Sequence, residues 1–182
     1  SVHFYFKPAD QRARSTVSMN ALKEGIRVWD RDINRFLTSD YVPLYNPVEE
    51  YLYDTGRWDG KDRIRALADL VPCHNPHWQE LFYRWFLGMV AHWRGMDRQH
   101  GNNTSPLLVG SQGFRKSTFC RILLPPELRF GYTDSIDFKS RQEAERSLGR
   151  FLLVNIDEFD QISINQQGFL KHLLQKPVAN LR

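Results

Sequence analysis

Gly110-Ser111-Gln112-Gly113-Phe114-Arg115-Lys116-Ser117-Thr118 is the stretch whose reading decides the fold. It follows a short apolar run, Ser105-Pro106-Leu107-Leu108-Val109, that suits a buried parallel strand. It opens a segment of helical character, about Lys116 to Leu124, which Pro125-Pro126 stops. A glycine-bearing loop between a strand and a helix is the setting of a phosphate-binding loop. In such a loop, backbone N–H groups and the positive end of the helix face phosphate oxygens. On this reading Gly110 through Thr118 bind the nucleotide, ATP, with the Lys116 ammonium on the outer phosphates and the Ser117 hydroxyl on Mg2+. One residue departs from the usual pattern, which has glycine directly before the lysine where this chain has Arg115. Glycine there permits backbone conformations that are costly for a residue with a Cβ. Arg115 therefore either strains the loop or adds a second cation toward the phosphates. Taken by itself, the loop also fits a surface turn ahead of an ordinary helix.

A second element narrows the choice. Phe151-Leu152-Leu153-Val154-Asn155-Ile156-Asp157-Glu158 is an apolar strand ending in two acids. Ligands bind at the carboxyl ends of parallel strands, so a buried strand here brings its last carboxylates to the phosphate loop. Asp157 is then the magnesium-positioning carboxylate and Glu158 the residue that orients the attacking water. Lys116 and Glu158 are thus the candidate catalytic residues, and Ser117 and Asp157 the candidate metal residues. A glutamate directly after the metal-positioning aspartate, with a strand and helix between loop and acids, points to ring-forming ATPases and helicases. It points away from small GTPases and kinases.

The rest of the chain is read outward from these two elements. From about Asn20 to Leu37, Leu22, Ile26, Trp29, Ile33 and Phe36 fall at steps of three and four, predicting a helix with one buried stripe. Asn46-Pro47 opens a short helix that Thr55-Gly56 closes, and Ile64, Leu67, Ala68 and Val71 predict another, stopped by Pro72. Trp78, Leu81, Phe82, Trp85, Phe86, Met89, Val90 and Trp93 make the clearest amphipathic helix, expected to face a core. Downstream, a short strand is expected around Phe130 to Thr133. Ser140-Arg141-Gln142-Glu143 has the form of a capping box, and Ser163 to Gln166 begins a last helix carrying Phe169, Leu170, Leu173 and Leu174. The predicted fold class is α/β. A helical N-terminal region, residues 1–100, precedes a truncated P-loop NTPase core of ASCE/AAA+-like kind with a parallel sheet, residues 101–182.

Composition sets broad bounds. With 41% hydrophobic and 13% aromatic residues, the chain is folded rather than disordered. The formal net charge of +4 permits contact with nucleic acid without requiring it. No apolar run has the length of a membrane-spanning helix, so no membrane partner is expected. Two cysteines, Cys73 and Cys120, argue against a disulfide framework and suit a reducing, cytoplasmic setting.

With these elements in place, the sequence resembles the virulence-associated E family, whose P-loop domain is similar to the helicase domains of phage and plasmid primase–helicases. The resemblance rests on Asn46-Pro47-Val48-Glu49-Glu50-Tyr51-Leu52, Arg57-Trp58-Asp59-Gly60, the Trp78 to Trp93 helix and the loop through Cys120. Tyr132-Thr133-Asp134-Ser135 and Asn155 to Asp160 complete it. It implies a helical domain ahead of an ATPase core, bacterial mobile-element or prophage origin, a role in DNA replication, and a primase-like region earlier in the full protein. It also implies DNA as partner and a homo-oligomeric ring in which a neighbour supplies an arginine finger. The chain departs from the pattern at Arg115, and it ends before the strand expected to supply a polar sensor residue.

Two other functional classes fit parts of the sequence. In one, the altered loop is a nucleotide- or phosphate-binding module that does not hydrolyse. In the other, the helical half makes the protein a DNA-binding regulator; Lys7, Arg12, Arg14, Lys23, Arg27, Arg31 and Arg35 fit contact with a nucleic-acid backbone and fit a solvated helix face equally well. Cys73-His74-Asn75-Pro76-His77 is set aside as a zinc site because no second Cys or His pair lies at suitable spacing.

Overall fold

The computed structural model describes residues 10–42, 45–96, 104–136, 138, 140–157 and 163–175. They divide into two compact units, Ser1–Tyr45 and Asn46–Arg182. None of the described helices is long and apolar enough to cross a membrane.

The first unit holds α1 (Gln11–Lys23) and α2 (Asp30–Leu37), joined by a hydrogen bond from the Arg14 guanidinium to Asn34 Oδ1 at 2.8 Å. The single helix predicted across residues 20–37 is therefore two. Gly25 breaks it at φ 76°, a left-handed conformation that glycine adopts without a Cβ clash. Gly25 N–H donates to the Leu22 carbonyl at 3.0 Å and Ile26 N–H to the Ala21 carbonyl at 2.9 Å. These two bonds close α1 in a Schellman turn. Because the break falls inside the apolar spacing, the stripe does not form. Of its five members only Ile33 is buried, and Trp29, expected on the stripe, is 69% exposed. Trp29 instead stands just before α2, where its N–H donates to Asp32 Oδ2 at 3.3 Å.

The second unit begins with α3 (Pro47–Asp54), where Asn46 Oδ1 accepts from Val48 N–H at 3.0 Å and Glu49 N–H at 3.3 Å. Proline at the first helical position needs no such partner, so Asn46-Pro47 is a strong start signal. After α4 (Arg63–Ala68) comes α5 (Trp78–Trp93), which buries Phe82, Trp85 and Met89. These residues join Ala68 of α4 and Leu123 in one core, with Phe119 and Leu153 packed against it. The Phe82 ring lies 5.2 Å from Trp78, 5.5 Å from Trp85 and 6.1 Å from Phe119. Two indole N–H groups find carbonyls at the edges of this core: Trp78 donates to Ala68 at 2.9 Å and Trp93 to Leu152 at 2.8 Å. Helices α4 and α5 thus share their core with residues of the chain that follows, Phe119, Leu123 and Leu153.

That following chain runs α6 (Lys116–Ile122), a 3-10 helix (Pro126–Gly131), β1 (Tyr132–Thr133), α7 (Arg141–Arg150), β2 (Leu153–Val154) and α8 (Ile164–Gln175). β1 and β2 pair in parallel, with Tyr132 opposite Leu153 and Thr133 opposite Val154. The crossover between them contains α7, which Ser140 Oγ caps by accepting from Glu143 N–H at 3.3 Å. Gly131 sits where the strands close in: a Cβ there would stand 2.6 Å from Leu152 Cγ, well inside contact distance. Ser163 and Gln166 cap α8 reciprocally, and Phe169 of that helix packs with Ala144, Ile136, Phe138 and Leu148. The side chains of Leu173 and Leu174 lie outside the described residues.

Two expectations about strands are corrected. Residues 104–110 form no strand: Leu107 is 66% and Val109 88% exposed, while Pro106 and Leu108 are half-buried. A buried strand requires a ladder partner along its edge and cover on both faces, and no described segment pairs with this run. The Phe151 to Ile156 strand is present but short, with Leu153 and Val154 in the ladder and its residues half-buried. The α/β character of the chain is thus a helical body with a small, two-stranded parallel sheet.

Candidate functional site

The loop that follows residue 109 turns twice in the left-handed region. Gly113 has φ 89°, and Arg115, the residue standing in the usual glycine position, has φ 54° and ψ 30°. Arg115 is the only non-glycine residue at positive φ among those described. The left-handed conformation costs a residue with a Cβ about 1–2 kcal/mol. Arg115 therefore occupies a backbone shape that glycine takes freely. Arg115 is also the N-cap residue of α6, and it makes no side-chain cap. No capping side chain occupies the first N–H groups of that helix, which carry its partial positive charge.

Lys116 opens α6 and folds back over the loop. Its Nζ donates to the Gly110 carbonyl at 2.8 Å and to the Ser111 carbonyl at 3.0 Å. Ser117, one residue on, reaches across to the strand region: its Oγ donates to Asp157 Oδ2 at 2.9 Å, between residues 40 apart in sequence. Asp157 lies three residues beyond β2, whose pairing with β1 continues to Asn155, where the N–H donates to the Thr133 carbonyl at 2.8 Å. Cys120, one turn further along α6, lies in the same surroundings. Burial raises its thiol pKa, and the nearby Asp157 charge raises it further.

The structure thus brings Gly110, Ser111, Lys116, Ser117 and Asp157 together. Gln112, Phe114 and Thr118 of the loop are exposed. Glu158 lies outside the described residues. Sequence reasoning missed Arg121, which braces α6 against the end of β1. Its guanidinium donates to Asp134 Oδ2 at 3.3 Å and lies 5.5 Å from the centre of the Tyr132 ring. Its spacing of four from Ser117, on one helix face, was the available signal.

The oxygen groups present suit a hard divalent cation. A serine hydroxyl and a carboxylate are the protein ligands that Mg2+ takes when phosphate oxygens and water complete its shell. Among the described residues no cluster of three or more His, Cys, Asp or Glu side chains would hold a metal by itself.

Fold and site together define a helix-rich protein whose small parallel sheet delivers a carboxylate to a lysine- and serine-bearing loop. The model of the virulence-associated protein E-like domain matches residues 52–182, and the chain belongs to that family. No curated protein and no solved structure matches it.

Proposed function

We propose that this chain is the ATP-binding part of a helicase-like protein that acts on DNA, of the primase–helicase kind found in mobile elements and prophages. The observation that carries the reading is the bond between Ser117 Oγ and Asp157 Oδ2. A hydroxyl after the loop lysine and a carboxylate after a parallel strand are the two protein groups that position magnesium in phosphoryl-transfer ATPases. The uncapped start of α6 and the left-handed turns at Gly113 and Arg115 support the same reading, since they leave backbone N–H groups for phosphate oxygens. On this proposal Gly110 through Thr118 hold the triphosphate, and Lys116 moves from its two carbonyls onto the outer phosphates. Ser117 and Asp157 would hold Mg2+, which would draw charge off the phosphate oxygens, and Glu158 orients water. Turnover then drives movement along DNA in a ring whose neighbour supplies the arginine finger. The setting would be the cytoplasm.

A non-hydrolysing phosphate-binding module is the second reading, and the lysine geometry favours it. Nζ already has two carbonyl acceptors within the loop, so binding phosphate must repay their loss.

Binding of a fluorescent ATP analogue with magnesium, compared between the wild-type chain, Lys116→Ala and Arg115→Gly, tests the proposal. Saturable binding that falls at least tenfold in Lys116→Ala is the expected result. Absence of binding at millimolar nucleotide in both wild type and Arg115→Gly would reject it. Magnesium-dependent binding without phosphate release from the full-length protein would select the second reading.

A further inference from the structure

Between α3 and α4 the chain makes a turn, Arg57-Trp58-Asp59-Gly60-Lys61, that has no role in the loop chemistry. Trp58 is 78% exposed, an unusual state for so large an apolar ring. It is nonetheless fixed: its Nε1–H donates to the Lys61 carbonyl at 3.1 Å. The turn around it is braced as well. Asp59 Oδ1 accepts from Lys61 N–H at 3.1 Å, and the two Asp59 oxygens take the Arg63 guanidinium in a fork, both at 2.7 Å. Gly60, at φ 84°, supplies the left-handed corner. The Arg63 fork, helped by the Lys61 N–H, holds the Asp59 carboxyl far below the usual carboxylate range, so the brace stays ionised at any ordinary pH.

Three consequences follow from this arrangement. With its only donor used inside the turn, the indole offers a partner its faces and no hydrogen bond. A ring held in place loses little freedom on binding, which favours affinity. The carboxylates of the turn are also spoken for, Asp59 by Arg63 and Asp62 by Arg65. That leaves the exposed Arg57 and Lys61 with no ion pair among the described residues. A rigid aromatic face with uncompensated cations on both sides in sequence matches a chain of flat bases joined by phosphates. Duplex DNA does not fit it, because paired bases keep their faces stacked on each other.

We infer that the Trp58 turn is a contact site for single-stranded DNA, with a base stacked on the Trp58 ring and Arg57 and Lys61 on the flanking phosphates. The choice of DNA rests on the function proposed above, but the contact itself requires no nucleotide in the loop.

The test is fluorescence anisotropy of a labelled oligo-dT with the 182-residue chain, without ATP, beside a duplex of equal length. Oligo-dT is expected to bind more tightly than the duplex, and Trp58→Ala to weaken it roughly tenfold or more. Trp58→Phe, which keeps a ring face and loses the N–H, is expected to retain most of the affinity. Arg57→Gln with Lys61→Gln is expected to flatten the salt dependence by the share of two phosphate contacts. Unchanged oligo-dT binding in Trp58→Ala overturns the inference, as does a loss in Trp58→Phe equal to that in Trp58→Ala, or a wild-type chain that prefers duplex. The two proposals separate cleanly. Trp58-dependent oligo-dT binding by a chain that binds no ATP analogue leaves this site standing and removes the ATPase reading. ATP binding lost in Lys116→Ala, beside oligo-dT binding indifferent to Trp58, does the reverse.

Discussion

Helix α5 and the segment 104–115 are both rich in apolar and glycine signals, yet they have opposite fates. α5 buries Phe82, Trp85 and Met89 in the main core, and just beyond its end the Gly95 N–H donates to the His92 carbonyl at 2.9 Å. The segment leaves Leu107 and Val109 in solvent and then holds an arginine in a left-handed turn. The difference lies in where each obtains its hydrogen bonds. A helix closes its own ladder and needs cover for one stripe alone. An extended run depends on neighbours at its edges and on both faces. Apolar content therefore stabilises α5 and adds little to residues 104–110.

Substitutions can break or sharpen that contrast. The largest effect is expected at Phe82, which is fully buried against Trp78, Trp85 and Phe119. Phe82→Ala should cost about 3–5 kcal/mol, read as a fall in the urea midpoint. A cost near zero would mean that α5 is not the centre of the core. Next comes Arg115→Gly, which should stabilise the chain by about 1 kcal/mol through relief of the left-handed strain, seen as a higher thermal midpoint. A destabilising result would show that the guanidinium, and not the backbone, sets the balance at this residue. The smallest change is expected for Val109→Ser, within about 0.5 kcal/mol of wild type in the same urea titration. A loss above 2 kcal/mol would reveal that the run is covered after all.

The same contrast explains what was legible in the sequence. Helix starts were readable where the signal is local: Asn46 caps α3, Ser163 and Gln166 cap α8 reciprocally, and Ser140 caps α7, although the Glu143 carboxylate of the expected capping box takes Arg146 at 2.8 Å. The aromatic spacing of Trp78 to Trp93 was readable because its period needs no knowledge of the partner. The break at Gly25 was also written locally, but the three-and-four spacing that runs across it masked it. Trp29 was misplaced for that reason. The strand run 105–109 could not be read from its own residues, because its state depends on what lies beside it. Likewise the sequence orders Ser117 ahead of Asp157, whereas their contact at 2.9 Å belongs to the tertiary fold. Arg115 was legible as an anomaly. Its φ of 54° places an arginine in a conformation that glycine adopts without steric cost.

The bond between Ser117 and Asp157 also has a bearing on when the site comes into being. It joins residues 40 apart, while the lysine and its two carbonyls lie within one loop. Contacts of long sequence separation carry the cost of closing the chain between them and form late relative to local ones. A chain emerging from synthesis can therefore possess α5 and the loop before it possesses the hydroxyl–carboxylate pair. That pair spans α6, α7 and both strands, so it reports on the folding of the segment from Ser117 to Asp157 in a way that the loop lysine does not.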